Sequence, residues 1–341
     1  SYLSIRFEAC AAPGVQVRKT SSFSGNAIFQ FFYCSGVYLH DMDLSGLSYG
    51  FSPDPGILNG DDGVRVFASC NIHMERMVFR NFGDSAWRFS TGASWAGASS
   101  ASHPDAGAYC NRVHMKGCHV LDCFQVSTTN TSNFYQGGAQ DVFYEDCVFE
   151  NIGGSVKLAT RAPGSARVRI KNVTIRNSGR HGLELDSFSD YDVDGLILEN
   201  CTKFGIFLGA NGAQTPGFAF NRARFKNVTV RAGALTASAV TSGAFYINTD
   251  LYPDGTQWDF KGLQLSDWTI YDMPAGARPI LISGGSFIDP VFENIRFEGC
   301  YSTQMITATP RISSATDANW RFSGVKANDC LGTQATLSRG E

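Results

Sequence analysis

The chain has 341 residues, and its formal net charge at pH 7 is −3, from 28 basic and 31 acidic residues. This near balance excludes a polybasic nucleic-acid-binding protein, and no apolar run reaches the roughly 18 residues that a membrane-spanning helix requires. We therefore expect no nucleic-acid partner and no membrane insertion. A hydrophobic content of 43% excludes intrinsic disorder, whereas 36 Gly and only 17% charged residues favour short strands joined by tight turns.

Residues 1–38 contain short alternating stretches, such as Ile5 to Phe7 and Val15 to Val17. Alternation of this kind is typical of β-strands, so we predict an irregular N-terminal coil that leads into one domain over residues 39–341. Because the chain begins at Ser1 without Met or a signal-like apolar stretch, we expect it to be processed or cut from a longer protein.

From residue 39 onward an eight-residue pattern recurs ten times, at spacings between 23 and 41 residues. It runs apolar, any, turn-former, apolar, any, apolar, any, turn-former, as in Ile170–Asn177. The third position is Asp, Asn or Gly in every copy except the one with Arg76, and these types tolerate positive φ. The copies begin at Leu39, Met74, Met115, Tyr144, Ile170, Val193, Phe225, Leu265, Phe292 and Phe322.

Most copies are followed by a third alternating strand, as at Leu183 and Leu185 or Ile206 and Leu208. Three short strands per repeat, separated by bends, predict an all-β, right-handed, single-stranded parallel β-helix of about ten or more coils. A β-sandwich also has many short strands, but it does not repeat a turn residue at a fixed offset.

The ten cysteines fit this repeat better than a disulfide framework. Cys118 and Cys147 occupy the apolar fourth position of the pattern, where they replace hydrophobic residues of a stacked core. We therefore expect free, buried thiols and no zinc site, although bridges between neighbouring coils stay possible.

The strand after the fifth copy carries the candidate catalytic pair. If Leu183 and Leu185 point inward, Glu184 and Asp186 both point outward, about 6.5–7 Å apart along the strand. Insertions follow the third strands at 91–108, 128–140, 210–218 and 248–257, and long loops on one side of a regular scaffold often carry function. The outward neighbours of the pair on adjacent coils are expected to be Lys157, Phe207, Tyr246 and Asn248.

Two carboxyl groups at this separation suit glycosidic bond cleavage, in which one donates a proton and the other activates water or attacks. Asp190 and Asp250 are further catalytic candidates in the adjoining loops. The alternative is that the pair are solvated surface acids, with Glu184 paired to Lys157. No metal or cofactor is predicted, and the expected substrate-binding residues are Lys157, His181, Arg161, Phe207, Tyr246, Asn248, Tyr252 and Trp95.

The repeat resembles the pectin-lyase-like parallel β-helix superfamily over nearly the whole chain. Asp61–Val66 leading into the first regular coils, the irregular coil lengths and the core cysteines resemble the central domain of a bacteriophage tailspike or polysaccharide depolymerase. This resemblance implies a homotrimer in the virion, at the phage tail, that acts extracellularly at the host cell surface. It also implies binding and hydrolysis of a bacterial surface polysaccharide, O-antigen or capsule.

Two other functions are open for such a chain. One is a non-catalytic receptor-binding fibre that only binds the polysaccharide. The other is a polysaccharide lyase or epimerase, for which Lys157 or His181 would supply the base.

Overall fold

The structure, a computed structural model, describes residues 3–7, 15–18, 27–46, 62–90, 110–129, 139–159, 167–186, 189–209, 222–232, 242–248, 259–283, 286–302, 304–309, 319–330 and 336–337. These ranges contain strands, bends and turns and no helix, so none of them holds a helical membrane span. The chain divides into two compact units, which we call the N-terminal unit (residues 1–174) and the C-terminal unit (residues 175–341).

The N-terminal unit is built from short parallel strands in three ladders. Each strand pairs with the one a full coil later in the chain, as β4 does with β7, β5 with β8 and β6 with β9. Its strands are β1 Leu3–Phe7, β2 Val15–Arg18, β3 Phe29–Phe32, β4 Cys34–His40, β5 Met42–Ser45, β6 Val64–Phe67, β7 Cys70–Glu75, β8 Val78–Arg80, β9 Ser85–Ser90, β10 Cys110–Lys116, β11 His119–Leu121, β12 Gln125–Thr129, β13 Ala139–Glu145, β14 Val148–Ile152, β15 Val156–Ala159 and the start of β16 Arg167–Ser178.

The first three strands belong to the same ladders. Strand β1 pairs with β4, β2 with β5, and β3 with β6, all in parallel. These strands lie within the residues for which the sequence predicts an irregular N-terminal coil, and the pairing of β1 with β4 has a register shift between Leu3 and Ile5.

The C-terminal unit repeats this arrangement. One ladder runs through β18, β20, β23 and β26, and a second, which we call the third-strand sheet, runs through β17, β19, β21, β24 and β27. Its strands after β16 are β17 Leu183–Asp186, β18 Asp190–Glu199, β19 Phe204–Gly209, β20 Arg222–Arg231, β21 Gly243–Asn248, β22 Asp259–Lys261, β23 Leu263–Tyr271, β24 Ile280–Ser283, β25 Ser286–Ile288, β26 Val291–Glu298, β27 Ile306–Thr309, β28 Arg321–Ser323, β29 Lys326–Asn328 and β30 Thr336–Leu337.

The predicted bend at the third position of the pattern is present in all ten copies, because each residue there has a positive φ. In the first four copies and in the last copy the bend separates two strands, whereas β16, β18, β20, β23 and β26 run through it without a break. The residues are Asp41, Arg76, Gly117, Asp146, Asn172, Gly195, Asn227, Asp267, Asn294 and Gly324.

Side chains at these bends also bind one another between coils. Asn172 donates a hydrogen bond from Nδ2 to Oδ1 of Asp146 over 3.1 Å. Arg76, the residue that departs from the turn-former pattern, donates to both carboxylate oxygens of Asp41 at 2.6 and 2.7 Å. These hydrogen bonds hold the pKa of Asp41 well below its usual range.

The inward positions of the pattern form the core of each unit. The fourth and sixth positions are buried in every copy but the last, where Val325 and Ala327 are half-buried. Aromatic side chains interlock in this core, as Phe225, Phe245 and Trp268 do with edge-to-face rings. The pattern and this burial together make the chain a right-handed parallel β-helix.

Asp62 lies two residues before β6 and is buried, with 0% exposure. Its Oδ1 accepts hydrogen bonds from the backbone N–H and hydroxyl of Ser85 at 3.2 and 2.5 Å, and the other oxygen binds Arg65 and lies 3.4 Å from Nε of Arg88. The adjacent Gly63 has no room for a side chain, because an added Cβ would lie 2.5 Å from the carbonyl oxygen of Ala86. Asp62 therefore has a structural role.

All nine cysteines in the described ranges are free thiols, as predicted. Seven are buried, while Cys70 and Cys330 are half-buried. Burial raises the pKa of Cys201 and that of Cys300 to about 12, so both stay protonated at neutral pH.

Candidate active site

The predicted pair lies on strand β17, at the start of the third-strand sheet. Leu183 and Leu185 are fully buried, as expected for inward residues. Glu184 aligns with Phe207 on β19, and Phe207 aligns with Tyr246 on β21. The order of side chains on this outer face is therefore the one that the sequence indicated.

Glu184 is only 5% exposed, so its description as a solvated surface acid is wrong. Strand alternation determines the side of the sheet to which a residue belongs, but it does not determine whether other groups pack over that side. Other residues of this face are buried as well, with Leu281 on β24 at 5% and Thr307 on β27 at 7% exposure. The structure therefore places a carboxyl group in a largely water-poor part of the outer face.

An aromatic cluster stands beside Glu184. The rings of His181 and Phe207 stack with centroids 4.5 Å apart, and Tyr246 meets Phe207 edge-on at 5.5 Å. Phe204 completes the cluster, with its ring centroid 4.7 Å from that of Tyr246. The sequence analysis did not identify Phe204, because it counted the alternation of this strand from Ile206, although Phe204, Ile206 and Leu208 alternate as buried residues.

His181 is anchored within this cluster rather than free in a turn. It is 6% exposed, and its carbonyl oxygen accepts a hydrogen bond from the hydroxyl of Ser178 at 2.6 Å. Its Nδ1 accepts the backbone N–H of Phe204 at 3.4 Å, which places the proton of the neutral ring on Nε2. We infer that His181 fixes the position of the Phe207 ring.

The other residues that the sequence predicted for the site are spread over both units, and some of them lie outside the described ranges. Asn248 is half-buried at the end of β21, and the backbone of Asp186 aligns with Gly209 on β19, which in turn aligns with Asn248. Lys157 is half-buried on β15, in the N-terminal unit. Four predicted residues lie outside the described ranges: Trp95, Arg161, Asp250 and Tyr252.

The sequence analysis placed Asp190 in a loop, and this prediction is wrong. It is the first residue of β18, where it aligns with Arg222 of β20 and accepts a hydrogen bond from the Ser189 hydroxyl at 3.3 Å. Strand β18 belongs to the ladder of long strands and not to the third-strand sheet. The first residues of β18 alternate, but several of them are polar, and for this reason the sequence indicates a loop there.

The N-terminal unit contains a basic cleft that the sequence analysis missed, lined by residues that include Arg112, Arg167 and Arg169. One signal was available: the residue immediately before the pattern is aromatic, histidine or arginine in the first five copies. These residues are Tyr38, His73, His114, Phe143 and Arg169. Within the described ranges, no three His, Cys, Asp or Glu side chains come together as a metal site.

Comparisons with known proteins give the fold. No family model matches the chain, and no curated protein matches it. Among solved structures, the catalytic domain of a GH87 alpha-1,3-glucanase in complex with nigerose matches with a TM-score of 0.61 and 13% identity, covering 100% of this chain and 61% of that one. This chain therefore spans about three fifths of the glucanase chain.

Two other structures show lower similarity. An endo-xylogalacturonan hydrolase from Aspergillus tubingensis gives a TM-score of 0.39 at 11% identity, with 99% of this chain and 91% of that chain covered. Bacteriophage CBA120 tailspike protein 3 gives 0.32 at 10% identity, with 98% and 55% covered. The glucanase comparison agrees with the parallel β-helix that the repeat predicted.

Proposed function

We propose that this protein is an endo-acting glycoside hydrolase that cleaves a bacterial surface polysaccharide, with Glu184 as the general acid and Asp186 as the base. The observation that carries this proposal is the burial of Glu184 on the outer face, in register with the aromatic residue Phe207. A parallel β-helix also forms the catalytic domain of an alpha-1,3-glucanase, so the fold is able to support glycan cleavage.

Glu184 has the surroundings that a proton donor needs. In glycosidases the acid is the carboxyl group in the more apolar environment, while its partner stays ionised in a more polar one. Among the described residues, Asp62 and Glu184 are the two buried carboxylic acids. Asp62 has a structural role through Ser85, Arg65 and Arg88, whereas Glu184 lies on the outer face of the third-strand sheet, in register with Phe207.

Asp186 is two residues further along the same strand. Successive residues on one face of a strand are about 6.5–7 Å apart, which is within the range of about 6.5–9.5 Å that leaves room for an attacking water molecule. The pair therefore favours inversion at the anomeric carbon, with Asp186 as the group that activates water.

The neighbouring side chains suit a sugar polymer. Phe207 and Tyr246 offer aromatic rings, and Asn248 offers an amide that both donates and accepts hydrogen bonds. The proposed substrate is an O-antigen or a capsule, and the proposed setting is a homotrimeric phage tailspike outside the cell. The resemblance of the sequence to tailspike β-helices supports this setting.

The experiment is a digest of purified O-antigens and capsular polysaccharides, in which the release of reducing ends and the ultraviolet absorbance of an unsaturated uronate are both measured. New reducing ends without new absorbance support a hydrolase, whereas absorbance from an unsaturated uronate would support a lyase. Binding without cleavage would support the receptor-binding fibre. Light scattering should give about three times the chain mass of 37.0 kDa, and a monomer would contradict the tailspike setting.

A further inference from the structure

The basic cleft of the N-terminal unit has a volume of about 350 Å³, at the lower end of the range for small-ligand sites. It opens over strands β10, β13 and β16. The side chains that matter for its chemistry are Arg112, His114, Asp141, Phe143, Arg167 and Arg169.

Strand register brings these residues together. His114 aligns with Phe143, and Phe143 aligns with Arg169, so one residue from each of three neighbouring strands forms a row. Arg112 and Arg167 lie two residues before His114 and Arg169 on their own strands. Because adjacent strands are about 4.8 Å apart, the three arginines are close enough to act on one ligand.

The cleft has an excess of positive charge. It contains three arginines against one acid, Asp141, which accepts a hydrogen bond from Nε of Arg167 at 2.5 Å. In the part of the chain that the structure describes, neither Arg112 nor Arg169 forms a salt bridge, so two guanidinium groups are available to an anion. Arginine binds carboxylates through two parallel N–H donors, which gives such a site both affinity and geometric selectivity.

The wall of the cleft is a rigid row of rings. His114 stacks on Phe143 with centroids 4.7 Å apart and planes 6° apart, and its other side meets the ring of His73 at 4.8 Å. Burial and the neighbouring His73 lower the pKa of His114, against the opposing effect of Glu145, so its ring is neutral at pH 7. The stacked Phe143 covers one face of the His114 ring, so that face is closed to a nucleobase.

We infer that this cleft binds the carboxylate of a uronic acid in an acidic polysaccharide, through Arg112 and Arg169. Its residues lie in the N-terminal unit, and none of them belongs to the proposed catalytic pair. The inference goes beyond the proposed function, because binding here requires no cleavage. The cleft would select acidic polymers over neutral ones of the same shape.

The test is affinity electrophoresis and calorimetry of the intact protein with polygalacturonate, alginate and hyaluronate, at low and moderate salt. Dextran and fully methyl-esterified polygalacturonate are the neutral controls. At least one acidic polymer should bind, and Arg112→Gln and Arg169→Gln should each weaken it roughly tenfold, as expected for losing a charge-assisted hydrogen bond. Arg296→Gln, at an exposed arginine of the C-terminal unit, is the matched control and should have no effect.

Four results would overturn the inference. The first is that none of the three acidic polymers binds, and the second is that the methyl ester binds as tightly as polygalacturonate. The third is that both cleft variants bind as tightly as the wild type. The fourth is that inorganic phosphate or oligothymidylate binds more tightly than the acidic polymers. Measuring the same variants in the Glu184→Gln background separates this site from the proposed active site. Binding of the acidic polymer to the cleft should persist in the Glu184→Gln variant, even if the wild-type protein cleaves no polysaccharide.

Discussion

The ring of His181 lies nearly parallel to that of Phe207, with 16° between their planes and 4.5 Å between their centroids. Phe207 in turn aligns with Glu184 on the neighbouring strand. A histidine at the end of one turn thus fixes the aromatic residue beside the proposed acid.

Phe207→Ala should weaken substrate binding more than it slows the chemical step. The change removes an aromatic surface beside Glu184 and the stacking partner of His181. We expect KM to rise roughly fivefold to tenfold, which corresponds to about 1–1.4 kcal/mol and is the usual scale of an aromatic contact. Tyr301→Ala, at an exposed tyrosine, is the control and should leave KM unchanged. An unchanged KM in Phe207→Ala would show that the substrate does not contact this aromatic cluster.

Asp62→Asn should strongly destabilise the protein. The change leaves Arg65 and Arg88 near a neutral buried group, and breaking a buried charge pair typically costs about 3–5 kcal/mol. Chemical denaturation measures this loss. Asp41→Asn breaks an exposed pair with Arg76 instead and should cost less than about 1 kcal/mol. Equal losses in the two variants would contradict the structural role of Asp62.

Gly117 tests the bend at the third position of the pattern. Its φ is +59°, and an added Cβ would meet only the Arg76 side chain at 3.7 Å, so space is not the constraint. Gly117→Asn should be close to neutral, because Asn tolerates this conformation, whereas Gly117→Val should cost about 1–3 kcal/mol of unfolding free energy. Thermal unfolding of the two variants compares them, and equal stability would argue against a left-handed bend.

Thiol labelling tests the stacked core. At pH 8 the thiols of Cys201 and Cys300 should not react with iodoacetamide in the folded protein, because burial raises the pKa of each to about 12. Cys70 and Cys330 are half-buried and should react before Cys201 and Cys300. Mass spectrometry after labelling, with and without denaturant, gives the comparison. Rapid native labelling of Cys201 would show that the core is open.

The sequence predicted the fold well because its signals are local. A residue that must adopt positive φ is restricted to a few types. The bends at Asp146 and Asn172 could therefore be predicted from the residue type at each position alone. Arg76 was the exception, and the structure explains it by its bidentate contact with Asp41 on the preceding coil.

The site was less predictable, because exposure and clustering depend on several coils at once. Alternation placed Glu184 on the outer face but gave no information about what packs over it. The cleft around Arg112 and Arg169 arises from strand register between coils of unequal length, which a single strand does not reveal. The polar start of β18 at Asp190 likewise has the composition of a loop but pairs as a strand.

The most direct test of the proposed chemistry is reducing-end release from a polysaccharide that the wild-type protein cleaves, measured for Glu184→Gln and Asp186→Asn. Each variant should lose roughly 10²–10⁴-fold in kcat, the usual contribution of a general acid or base, while its unfolding midpoint stays near that of the wild type. Glu199→Gln, which breaks only an exposed pair with Arg176, should retain full activity. Wild-type turnover in both Glu184→Gln and Asp186→Asn would contradict the proposed active site.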